Sequence, residues 1–104
     1  MEIDFLYFDY CPSWKQGLEN LQSVLEEEKI EAEINLIQVE SDEDAAKGKF
    51  LGSPSFRVNG KDLWPEDRKD YYLGCRVYKT EGGMYGVPTV EMLRNKILIF
   101  WPPE

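Results

Sequence analysis

Histidine does not occur in this chain of 104 residues. Zinc hydrolases, Ser/His/Asp triads and Cys/His proteases are thereby excluded together, because each needs an imidazole as base or ligand. Cysteine occurs only at Cys11 and Cys75, too few for a secreted disulfide framework and too far apart in sequence for a local chelating motif. No run approaches the roughly 20 apolar residues of a membrane helix. The opening "MEIDF" has neither a basic region nor an apolar signal core, so a cytoplasmic protein without membrane partners is expected. Basic residues are also scarce. With 12 against 20 acidic residues the net charge is -8, which repels a phosphate backbone and argues against nucleic acid as a partner. Any chemistry must run on thiol, carboxylate, phenol or backbone groups, and no cofactor is implied.

What is present fits one small folded domain over residues 1–104, with 42% apolar and 13% aromatic residues. "EIDFLYFDY" is apolar on both alternating faces, as a strand buried on both sides would be. Pro12 suits a first helical position, and Trp14, Leu18, Leu21 and Leu25 share one helical face, which predicts a helix from about Pro12 to Glu28. "AEINLIQV" reads as a strand, and Ser41 with Asp44 as the cap of a short helix that Gly52 closes. "SPSFRVNG" reads as a strand ending in an Asn-Gly hairpin turn. Its partner is either "KDLW", directly across the turn, or "CRVYKT" after an inserted loop; the better β propensity of "CRVY" favours the second. Gly82, Gly83 and Gly86 mark a loop, and Pro88 opens a last helix that buries Val90, Met92, Leu93 and Ile97. The prolines of "FWPPE" stop that helix. The order βαβαββα, with a right-handed first crossover, gives an α/β four-stranded mixed sheet with helices on both faces.

Cys11 in "YFDYCPSW" is the residue with most chemical promise. At a helix N-terminus, free amides and the helix dipole favour thiolate over thiol. Asp9 and the acidic chain oppose that effect, and Lys15 offsets part of it. Unpaired cysteines are also often just buried packing residues. Cys75 in "LGCRVY" reads more simply as packing within or before a strand. If it comes close to Cys11, the pair could form a disulfide or hold a soft ion such as Cu(I) or Hg(II). Trp14 and Tyr10 are explained by packing, and Arg57 and Arg76 by solvated faces, although either arginine could orient an anion. The acidic runs "LEEEKIEAE" and "ESDEDAAK" read as wet helix faces.

"YFDYCPSW" after the first strand and "GSPSFRVNG" at the third resemble the thioredoxin superfamily. Over nearly its full length, including "LGCRVY" and "GGMYGVPTVEMLRNKI", the chain most resembles the DF family of (seleno)proteins, in some of which selenocysteine stands at the position of Cys11. The resemblance implies a thioredoxin-like fold, a nucleophilic Cys11 and a cis Ser53–Pro54 bond. It also implies substrate contacts at Ser53 and Pro54, with the Ser53 backbone pairing with an extended substrate segment as an added strand would; Pro12 and Trp14, next to Cys11 in sequence, are the further candidate substrate contacts, Trp14 as a flat wall. Thioredoxins carry a second cysteine where this chain has Trp14. The expected activity is therefore a monothiol redox cycle on a disulfide, peroxide or electrophile, resolved by Cys75 or an external thiol. Its partners would be thiol or disulfide substrates, protein or small molecule. The alternatives are a soft-metal thiolate binder and a non-catalytic binding module on the same scaffold.

Overall fold

A computed structural model of the protein describes residues 1–102. Strand β1 (Glu2–Tyr7) lies inside the main sheet, parallel to β2 (Glu33–Gln38) on one side and antiparallel to β3 (Ser55–Val58) on the other. β3 pairs with β4 (Lys61–Asp62), so the sheet runs β2-β1-β3-β4. The first crossover is α1 (Trp14–Glu27); α2 (Asp42–Gly48) follows β2, and α3 (Val90–Ile97) closes the chain with a 3-10 turn over Leu98–Phe100. A separate hairpin joins β5 (Tyr78–Thr80) to β6 (Gly83–Tyr85).

The double-faced pattern of β1 is explained by two apolar layers. Ile3 and Phe5 pack with Phe56, Val58, Leu21, Val24, Leu93 and Ile97, the layer that α1 and α3 supply. Leu6, alternate to Phe5, packs with Val39, Ala45 and Phe50 against α2. Each buried Val, Leu, Ile or Phe among them contributes about 1.5–3 kcal/mol relative to exposure. Ser41 caps α2, its Oγ accepting from the Asp44 amide at 3.0 Å, as its spacing predicts.

Several expectations are corrected. "KDLW" supplies the fourth strand, not "CRVYKT", because Asn59 and Gly60 both take positive φ (54° and 81°). That two-residue turn carries the chain straight back onto β3, and its geometry outweighs strand propensity. Only Tyr78–Thr80 of "CRVYKT" is strand, and its partner is β6, part of the glycine-marked stretch expected to be loop. Pro12 precedes α1 rather than opening it, since the Cys11 amide donates to Phe8 O at 3.1 Å and holds a turn there. Lys49, left-handed at φ 53°, closes α2 in place of Gly52. In the tail "FWPPE", Pro103 and Glu104 lie outside the described residues.

Candidate functional site

β1 ends beneath the turn that presents Cys11, and three chain segments meet there. The Ser53 Oγ accepts from the Phe8 amide at 3.1 Å, tying the turn to the β3 approach. The Ser53 amide donates to Gly74 O at 2.8 Å, and its carbonyl accepts from the Arg76 amide at 2.9 Å. These two bonds form a short parallel bridge centred on Ser53 and Cys75. The connection over residues 63–77 is thereby drawn across the mouth of the turn. It is pinned again where the Leu73 amide donates to Asp42 Oδ1 at 2.8 Å and where Arg68 donates to Leu51 O at 2.8 Å.

The consequence is a pair of facing thiols. Cys75 Sγ lies 3.7 Å from Cys11 Sγ, and Cys11 Sγ donates in turn to the Ser53 carbonyl at 3.4 Å. Both cysteines are free. Cys11 is 3% exposed, whereas Cys75 is exposed. Cys11 does not stand at the helix amides expected beside it: α1 begins three residues later, and the neighbour accepting from its sulfur is a carbonyl. Cys75 is not a packing residue either. Although the residue faces water, its sulfur turns toward buried Cys11. That partial burial, followed by the proton shared with Cys11 and repulsion from it, raises the Cys75 thiol above its ordinary value.

Beneath Cys75 the side chain of Arg76 is buried, contrary to the solvated face expected for it. Its Nη1 donates to both carboxylate oxygens of Asp62 at 3.0 Å and to Ser55 Oγ at 3.2 Å. Its Nη2 donates to Trp64 O and approaches Glu66 at 3.4 Å. The guanidinium also lies 5.1 Å from the centre of the Tyr78 ring, whose hydroxyl donates to Pro54 O at 2.5 Å. Burial raises both the Asp62 carboxyl and the Tyr78 phenol above their ordinary values, although Arg76 opposes both shifts. Nothing in "LGCRVY" announces this arrangement. The one available signal is the hairpin turn that fixes Asp62 opposite Arg57 on β3.

The other expected site residues divide. Ser53 and Pro54 are buried beside the thiols, and the Ser53–Pro54 bond is cis. Both backbone groups of Ser53 are taken by the chain's own Gly74 and Arg76, so Ser53 offers no free edge to a substrate strand. Trp14 stacks on Tyr7 at 4.3 Å between ring centres and donates to Asp9 O at 3.3 Å, a packing role. Pro12 is exposed, and Tyr10 stands 91% in solvent. Arg57 donates to the carbonyls of Gly48 and Lys49 at the end of α2. Among the described residues no group of three or more His, Cys, Asp or Glu side chains converges as a metal site, so the two sulfurs could supply at most a two-coordinate soft-ion site. No described helix is long and apolar enough to cross a membrane. No protein-family model matches the chain, and no curated protein matches it.

Proposed function

We propose that Cys11 and Cys75 form the redox centre of a thioredoxin-like thiol protein that reduces disulfides. The sheet order β2-β1-β3-β4, with a thiol in the turn after β1, supports the thioredoxin-like reading. The observation that carries the redox reading is the 3.7 Å between the sulfurs, close enough for small side-chain movements to reach the roughly 2.05 Å of an S–S bond. Exposure supports Cys75, rather than Cys11, as the attacking thiol. Its thiolate attacks one sulfur of a substrate disulfide and expels the first substrate thiolate. Cys11, deprotonated in turn, attacks Cys75 Sγ of the mixed disulfide and expels the second. Two electrons pass to the substrate, and the two thiol protons end on the released thiols.

Oxidised glutathione tests the sequence of steps. Wild type should release two glutathione thiols per chain, Cys11→Ser should stop as a mixed disulfide on Cys75, and Cys75→Ser should react far more slowly. Unchanged reaction of Cys75→Ser would reject the assignment. A second reading is a non-catalytic binding module on this scaffold. It is favoured by the burial of Cys11 and by four surface clefts whose linings include neither cysteine. Reaction of both thiols no faster than free cysteine, with no disulfide formed, would select it.

A further inference from the structure

We propose that Arg76 is a positioning residue for the redox pair: its guanidinium, latched to Asp62, holds the 63–77 connection so that Cys75 faces Cys11. The inference rests on the redox reading of that pair.

The connection has no strand or helix of its own beyond the single bridge at Ser53. Connections of this kind between elements usually run about 4–6 residues, and longer ones without regular structure tend to be functional. Something must therefore fix where Cys75 sits, and its immediate neighbour does so twice. Through its backbone, Arg76 donates to the same Ser53 carbonyl that accepts from Cys11 Sγ. Through its side chain it is locked below the sheet edge, with both Nη1 bonds to Asp62 at 3.0 Å and further bonds to Ser55 and Trp64 O. Asp62 is itself fixed by β4 pairing and by accepting from the Trp64 amide at 2.8 Å. Gly52 lies directly against this residue: a Cβ there would stand 2.9 Å from Arg76 Cβ, so the backbone of Arg76 already sits at closest approach.

The two ends of the buried guanidinium work apart, Nη1 on the Asp62 carboxylate and Ser55 and Nη2 on Trp64 O and Glu66, a spread of fixed planar donors that a lysine ammonium cannot match. The latch acts on the redox equilibrium by an entropic route. In the disulfide form the covalent bond holds Cys75 in place whatever Arg76 does. In the dithiol form only the latch and the bridge hold it. Weakening the latch gives the dithiol extra freedom, lowers the effective concentration of Cys75 at Cys11, and moves the equilibrium toward dithiol.

The experiment is the equilibrium of the full chain with a glutathione redox buffer at neutral pH, with thermal unfolding of the dithiol and disulfide forms measured beside it. Arg76→Lys keeps the charge and loses the second donor nitrogen that serves Trp64 O. Asp62→Asn keeps an acceptor for the Trp64 amide and loses the ion pair. Arg94→Ala, which breaks a pair with Glu27 near the far end of α1, is the control. Both latch variants should shift the disulfide constant toward dithiol by about tenfold, equivalent to about 30 mV for a two-electron couple. Their dithiol forms should keep more mobile Cys75 environments, and Arg94→Ala should lower the unfolding temperature without moving the constant. If the latch variants lower the unfolding temperature of both forms equally and leave the constant within about twofold of wild type, Arg76 is structural and the inference is overturned. A wild type that forms no Cys11–Cys75 disulfide overturns the redox reading, and this inference with it.

Discussion

Cys75 Sγ faces Cys11 Sγ at 3.7 Å although 64 positions separate them in sequence, and only Cys75 is open to solvent. A bond between them would close most of the chain into one loop. By loop entropy, the disulfide form should resist unfolding by about 4 kcal/mol more than the dithiol. Urea titrations of the two forms check this, and equal stabilities would mean that closure strains the fold.

The Cys75 thiol should titrate lower once its partner is removed. Two of the three causes that raise it, the shared proton and the repulsion, come from Cys11. In Cys11→Ala the pH dependence of Cys75 alkylation should move toward lower pH, with burial alone remaining. An unchanged profile would show that the two sulfurs do not interact in solution.

Glycine substitutions should separate backbone strain from contact with the latch. Gly60, at φ 81° with open space around it, should cost about 1–2 kcal/mol as Gly60→Ala. Gly52→Ala combines φ 114° with a Cβ 2.9 Å from Arg76 Cβ, so it should cost roughly 1–3 kcal/mol more and also slow disulfide closure. Thermal unfolding and closure kinetics read the two effects apart.

Asp62 gives a pH signature whose sign follows from burial. Its carboxyl is raised above 3.8, first by desolvation, so the folded protein binds that proton more tightly than the unfolded chain. Stability from this group is fully present below 3.8 and is lost as pH rises through the raised value. The stability of wild type relative to Asp62→Asn should therefore fall as pH climbs from below 3.8 toward neutrality. A difference that grows with pH would mean that the Arg76 charge outweighs burial.

Much of the fold was legible because local rules and packing agree in it. The double-faced apolar run of β1, the helical face of Leu18, Leu21 and Leu25, the Ser41 cap and the Asn59–Gly60 turn each carry their own signal. The fourth strand is hidden from residue propensity, which favours "CRVY", because the tight turn brings Lys61 and Asp62 back onto β3 whatever their propensity. The site was half legible. The place of Cys11 after β1 is visible in sequence, but its burial and the facing Cys75 depend on the 63–77 connection folding back over Ser53. That path is set by long-range bonds from Arg76, Arg68 and Leu73, which leave no periodic trace in sequence.

The most direct test of the redox assignment is peptide mapping of the wild-type chain after oxidation by a glutathione buffer and blocking of free thiols. The account predicts a single cross-linked species in which the peptide bearing Cys11 is joined to the peptide bearing Cys75. Two separately blocked cysteines, or glutathione retained on both, would contradict it.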